Sequence, residues 1–528
     1  MQDATTAVAS PRAGRREWLG LAVLALPTLL GALDIGALFL ALPHLSADLG
    51  VTSTQQLWIA DIYGFLTAGF LITMGTLGDR IGRRKLLLIG GAAFGVLSVV
   101  AAYSSSAEVL IASRALLGVA GATLMPSTLA LITNMFRDDR QRGTAIATWV
   151  SCMMAGAAIG PVVGGLMLDH FWWGSVFLLG VPVMLLLLVA GPVLLPEYRN
   201  ENAGRLDPSS VLLSLLAILP LIYGLKELAV HGFDRPLVPL VSLVAGIVFL
   251  VLFIRRQLGL TSPLLDLRLF RNGVFSATLV SMLVAAAAMA GAFLLVSQYV
   301  QTVLGYSPAK AGIWLLPAGI SIAIGSQFGP LLARRMNPST VIALGLAVGA
   351  VGFLLITVLR DSGVAAVVLG LALIHVGAGP LFALGTFLVV GSVPPERAGS
   401  AASMSETANT FGSTLGLAVM GTIGAAVYRH RMSDVDLSGL PERAADSARD
   451  TLVGAIDAAR QLSGASADRV TQLARDAFTA GLNTVAVLGL VLFVALAVLL
   501  LSVTRTKRPT EAAAPAEPVA APETEPAN

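Results

Sequence analysis

Three acids and one arginine fall well inside apolar runs long enough to cross a lipid bilayer: Asp34, Asp61, Glu406 and Arg114. A charged side chain at the bilayer centre costs about 2.5 to 3.5 kcal/mol on insertion scales, so chance seldom leaves one there. Asp34 is the deepest acid, 16 residues past Trp18 in a run that ends near Pro43. Asp61 would lie roughly 9 Å below one surface, at 1.5 Å per helical residue, and Glu406 is similarly shallow from the other side. A buried carboxylate can be neutralised by a proton or by a cationic ligand, and either way its charge is no longer bare in a low dielectric. The two compete for the same oxygens, so such a group can exchange one for the other. Arg114 should face a counter-charge or water, and a purely structural ion pair is one reading of it. For the three acids the alternative is a carboxylate held by hydrogen bonds between helices, and it weighs most for the shallower Asp61 and Glu406.

Aromatic faces attract cations, by about 2 kcal/mol when desolvated. Phe39 is five residues from Asp34, and Trp58 and Tyr63 flank Asp61, which suits a lipophilic cation; Trp58 equally suits an interfacial aromatic belt. Gln298, Gln301, His375 and Asn409 are polar groups at membrane depth. Gln298, Gln301 and Asn409 are candidate ligand contacts, although such groups commonly satisfy a neighbouring backbone instead.

These residues need a scaffold that holds charge inside lipid, and the composition supplies one. With 56% hydrophobic and only 12% charged residues and a mean hydropathy of +0.82, a chain of 528 residues has too little polar surface for water. Fourteen stretches qualify as spanning helices: 18–43, 56–77, 86–104, 108–131, 143–168, 176–195, 209–228, 237–254, 274–304, 311–332, 339–358, 364–391, 399–427 and 480–503. With both termini cytoplasmic, 22 of the 34 basic residues fall on inner segments, whereas the short outer loops hold only Lys226, Arg235, Lys310 and Arg360. That asymmetry supports the count, because an odd number of helices would reverse half the pattern. The small positive net charge is dispersed over short loops, which excludes a nucleic-acid face. Arg15 and Arg16 precede an apolar run too long for a cleaved signal peptide. The lone Cys152 excludes an internal disulfide.

The expected organisation is a cytoplasmic segment 1–17, a six-helix bundle 18–195, two additional spanning helices within 196–271, a second six-helix bundle 272–503, and a disordered tail 504–528 rich in Pro, Ala and Glu. Residues 429–479 form an outer insert with apolar stripes over 442–462 and 466–479 joined at Ser463 and Gly464, which predicts a helical hairpin. Gating and passive capping both remain open for it.

The turn between the second and third spans carries Gly75, Gly78, Asp79, Arg80, Gly82, Arg83, Arg84 and Lys85. The glycines permit a tight reversal, and Asp79 with the basic cluster can make charge-assisted bonds. In the fifth span Gly156, Gly160 and Gly164 share a face that admits another helix closely, while Pro161 kinks the span; a sliding hinge and static packing both fit. The turn resembles the signature loop of the major facilitator superfamily. Arg114 to Gly121 resembles its second motif, Gly156 to Gly165 its antiporter motif, and Leu33-Asp34 through Pro43 the first-helix motif of its fourteen-helix drug exporters. The resemblance runs through the spanning region in the expected order and leaves out only the insert and the tail.

It implies an all-α integral membrane protein of the major facilitator fold, arranged as 6+2+6 helices, in a bacterial plasma membrane. It further implies a monomer exporting amphipathic cations such as quaternary ammonium compounds, cationic dyes and fluoroquinolones in exchange for protons, by alternating access. A role for Arg114 in proton transfer comes from the same resemblance. A specific metabolite, or a neutral or anionic antibiotic such as tetracycline, is the alternative cargo; three intramembrane acids and no intramembrane lysine favour cations. An integral-membrane enzyme is the remaining reading, but the chain has no HExxH zinc motif, P-loop or dinucleotide-binding glycine motif, so no cofactor or metal is expected and ATP cannot drive it directly.

Overall fold

The computed structural model describes residues 13–199, 207–231, 237–260, 267–358, 363–392, 398–437, 440–462 and 465–505. The first twelve residues, Arg205, Arg235, Arg360, Arg397, the turn at Ser463 and Gly464, and the tail from 506 onward lie outside the described residues, as do the expectations that fall on them.

The helices are α1 (Arg15–Leu49), α2 (Ser53–Ile81), α3 (Arg83–Ala102), α4 (Ala107–Met135), α5 (Asp139–His170), the short α6 (Ser175–Leu178) leading into α7 (Gly180–Leu194), α8 (Pro208–His231) and α9 (Leu237–Gly259). They continue as α10 (Gly273–Gln298), prolonged by a π turn over Tyr299–Val303, α11 (Pro308–Ala333), α12 (Pro338–Val358), α13 (Val364–Gly391), α14 (Ala398–Met432), α15 (Glu442–Asp450), α16 (Leu452–Ala459) and α17 (Ala465–Arg505). Among the described residues thirteen segments are long and apolar enough to span, and α2, bent by 50° between Leu71 and Thr73, makes a fourteenth. With α2 counted as a span, the start of α1 and the end of α17 lie at one end of the bundle, the termini end; the opposite, cap end carries α15 and α16.

Helix starts follow local chemistry. Thr52 accepts from the Gln55 amide at the head of α2, Ser106 from Val109, Asp138 from Gln141 and Ser307 from Lys310, each satisfying an amide that has no partner in its own helix. Packing yields two apolar cores. One is built from α1–α7 around Leu24, Leu38, Leu110, Phe136 and Phe177, the other from α10–α14 and α17 around Val296, Leu346, Phe353, Leu371 and Phe493.

Helices α8 and α9 stand outside both cores. α8 lies along the seam between α2 and α14, where Ile222 joins Phe65 and Ala418, while α9 packs on α8 and turns Leu237, Val241, Val244, Ile247 and Val251 outward. Such an apolar exterior is stable only in lipid. At their base Arg256 donates to both carboxylate oxygens of Asp207, at 2.9 and 2.7 Å, and this bond holds the Asp207 carboxyl down to about 2.

The insert departs from a simple hairpin. Its first arm breaks at Thr451, which ends α15 and caps α16 by accepting from the Gly454 amide; its second arm is the start of α17 and runs unbroken into the last span. The apolar stripe over 466–479 is therefore the head of a 41-residue helix, buried through Val470, Ala474 and Ala477, which periodicity alone cannot separate from a free helix.

Candidate functional site

Asp34 and Arg114 meet inside the first core. The Arg114 Nη1 lies 3.0 Å from the Asp34 Oδ2, its Nε donates to the Ile59 carbonyl at 3.1 Å, and its guanidinium stacks 4.9 Å from the Tyr63 ring centroid and 5.8 Å from that of Phe177. Arg114 is 1% exposed and Asp34 9%. The guanidinium is thus enclosed by a carboxylate, a carbonyl and two ring faces, which compensates a charge that lipid would not tolerate. Close helix approach makes the arrangement. A Cβ on Gly118 would meet the Tyr63 carbonyl and one on Gly121 the Tyr63 hydroxyl, so these two glycines let α4 press against α2 and bring Arg114 under the ring. On α1, the residues flanking Asp34 lock into α5: Gly156 abuts the Leu29 carbonyl, Gly160 the Leu33 carbonyl and Gly164 Ala37, while Pro161 packs on Gly36.

The other acids lie elsewhere. Asp61 is fully buried, but at about 100° per residue it sits some 200° around α2 from Ile59 and Tyr63. Its neighbours one turn along, Gly64 and Phe65, pack on Thr414 and Phe411 of α14. Tyr63 therefore belongs to the Asp34–Arg114 cluster, while Trp58 joins the apolar seam with Phe65 and Ile222. Glu406, near the termini end of α14, is accessible yet ringed by protein. Gly412 and Gly416 of α14 face α10, and Phe411 and Thr414 face α2. Glu406 is exposed and Asn409 half-buried on the same helix.

Phe39 packs on Phe293 at 5.7 Å, and Phe293 on His375 at 6.0 Å, an aromatic bridge from α1 through α10 to α13. His375 Nδ1 shares a hydrogen with the Leu371 carbonyl, and Gln301 Nε2 donates to the Ser297 carbonyl, so each polar group bonds its own helix. Gln298 instead lines a cavity of about 50 Å³ beneath the cap, bounded also by Ser46, Ser53, Leu57, Gly421 and Tyr428.

At the termini end the α2–α3 turn closes as its residue types dictate. Gly82 adopts φ +110°, and Arg83 binds Asp79 through Nε at 2.7 Å and Nη2 at 2.6 Å. Arg80 is exposed, and a Cβ on Gly78 would press on the Arg83 stem, while Gly75 has room. The partner that sequence reading missed is Glu197, whose carboxylate accepts from the Arg84 and Lys85 amides at 3.0 and 3.2 Å, an anion on the N-terminus of α3. The clue was available in the sequence: an isolated acid just past the sixth span, on the same side as the basic turn.

The halves touch along α5 and α11 toward the cap end and along α2 and α14 as far as Phe65 and Phe411. Pro161 abuts Gly312, Gly165 abuts Pro308, Ala158 abuts Gly319, and Leu57 lies against Gly421. The glycine face 156–160–164 thus packs on α1 within its own half, and the neighbouring face of α5 meets the other half.

Residues 24–417 match the Major Facilitator Superfamily. The chain belongs to that family. It is 42% identical over 488 residues to the multidrug efflux pump LfrA of Mycolicibacterium smegmatis, covering 92% of this chain and 96% of that protein. To the methyl viologen resistance protein SmvA of Salmonella typhimurium it is 33% identical over 465 residues, with coverage of 88% and 93%. In fold it superposes on a bacterial homologue of the human lysosomal transporter Spinster, in an inward-facing unoccupied conformation, with a TM-score of 0.66 at 15% identity, covering 94% and 98% of the two chains. This major facilitator protein is accordingly a membrane transporter of small molecules, not an enzyme.

Proposed function

We propose that the protein is a drug exporter that moves amphipathic cations out of a bacterial cell across the plasma membrane in exchange for protons, with both termini cytoplasmic and one chain sufficient. The relatives named for multidrug efflux and methyl viologen resistance support the cargo class, since methyl viologen is a dication. The buried Asp34–Arg114 pair carries the mechanism.

Asp34 has three mutually exclusive ways to lose its bare charge. Arg114 holds it now; a proton on Asp34 removes the attraction and frees the guanidinium; a cationic substrate takes the place of Arg114 at the carboxylate. Arg114 thereby keeps the acid compensated between loads, which a carboxylate alone could not do. Asp61 at the α2–α14 seam and Glu406 on α14 are additional proton or cation sites, Tyr63 presents a ring face at the deep acid's cluster, and Phe39 offers a second ring farther along α1, against Phe293. The α2–α3 turn and the α5 faces flex as the halves rock, around a site near the midplane.

Purified protein in liposomes, loaded with ethidium and given imposed proton gradients and membrane potentials, tests the reading. Dye should accumulate against its gradient when protons flow the other way, and Asp34→Asn should abolish this flux per unit of folded protein. Dye movement indifferent to both gradients would remove proton exchange, and full activity of Asp34→Asn would remove the assigned residue.

A further inference from the structure

The cap is fastened to the two halves by different kinds of contact. To the second half it is joined by an apolar cluster in which Leu452, Ala455 and Ala459 pack with Tyr428 and Met432 of α14 and Val470, Ala474 and Ala477 of α17. Tyr428 also donates its hydroxyl hydrogen to the Ala448 carbonyl at 2.8 Å. Toward the first half α16 lies near α1, around Pro43 and Ser46, and one carboxylate makes a polar link. Asp450, the last residue of α15, accepts from both the amide and the hydroxyl of Ser53 at the head of α2, each at 2.8 Å. Arg429 Nη1 of α14 stands 3.6 Å from the same Oδ1 that accepts from the Ser53 hydroxyl. The cavity lined by Ser46, Leu57, Gln298 and Gly421 lies directly beneath.

An apolar joint of this kind stays shut during a rigid-body rocking motion, whereas two hydrogen bonds to a helix N-terminus can open and reclose. We propose that Asp450 is the latch of the cap-end gate. With the gate closed its carboxylate seats on the N-terminus of α2; when the halves part, the cap rides with α14 and α17 and Asp450 transfers to Arg429, the cation already beside it. Arg429 is thus the resting place that lets the latch release without stranding a charge. The inference rests on alternating access by a major facilitator transporter and on no particular cargo or coupling ion.

The two residues have opposite predicted effects, which a merely structural pair would not show. In a Cys152→Ser background, a cysteine at Leu57 reports opening through its reaction with a membrane-impermeant maleimide supplied from the cap side. Asp450→Asn weakens the seat on α2 and should raise the labelling rate about fivefold, the scale of losing a charge-assisted hydrogen bond. Arg429→Gln removes the release partner and should lower labelling and slow transport. Changes in the same direction, or none, would overturn the proposal. A Ser53→Cys, Asp450→Cys pair checks it in any folded fraction: oxidation should stop transport and reduction restore it, and undiminished transport by the cross-linked form would show that the latch need not open. Labelling needs no substrate, so it succeeds or fails independently of the proton-exchange reading.

Discussion

At the scale of single residues, the cluster around Arg114 sets what substitutions will do. Removing one member of a buried ion pair leaves the other charge uncompensated, which is worth about 3 to 5 kcal/mol, whereas removing both can be nearly neutral. Arg114→Ala should therefore lower the melting temperature of the purified protein and also abolish transport. The double variant Asp34→Asn with Arg114→Gln should recover most of the thermal stability and none of the transport. Melting curves beside dye flux separate the two effects: a double variant as unstable as Arg114→Ala would mean that the pair is not the local energetic unit. The sequence disclosed both charges, because each is anomalous in lipid. It did not disclose that they face one another, since that depends on α2 and α4 closing over Gly118 and Gly121. Nor could spacing show that Tyr63 turns away from Asp61 toward Arg114; two residues of separation place side chains on nearly opposite sides of a helix.

At the scale of elements, glycine faces decide how near helices come. A methyl group on Gly156 would run into the Leu29 carbonyl, whereas Gly31 of α1 has nothing within 4 Å of the same position. Gly156→Ala should push α1 from α5, costing about 1 to 3 kcal/mol by overpacking and displacing Asp34 from Arg114. Gly31→Ala should leave transport intact and, if anything, stiffen the helix. Equal melting temperatures and equal dye flux for the two variants would show that the 156–160–164 face does not set the position of α1. The fourteen spans were legible because apolar length is a strong signal. The insert was only half legible: its stripes were real, but the break at Thr451 and the merger of 465–479 into α17 are choices made by packing against α14 rather than by local pattern.

For the whole molecule, two cores meet along α5 and α11 toward the cap end and along α2 and α14, and one buried carboxylate sits inside the first core within reach of an internal cation. Composition made the membrane setting readable. Which half the cap follows was not, because it rests on apolar contacts between segments far apart in the chain. The central claim is that proton and cationic substrate exclude one another at Asp34, and its most direct measurement is ethidium affinity as a function of pH in detergent-solubilised protein. Competition with a single proton predicts that the wild-type dissociation constant rises as pH falls, approaching about tenfold per pH unit once the carboxyl group titrates. The same measurement on Asp34→Asn should give weaker binding with that slope gone. A wild-type affinity that does not change with pH, or a slope that survives in Asp34→Asn, would contradict the account.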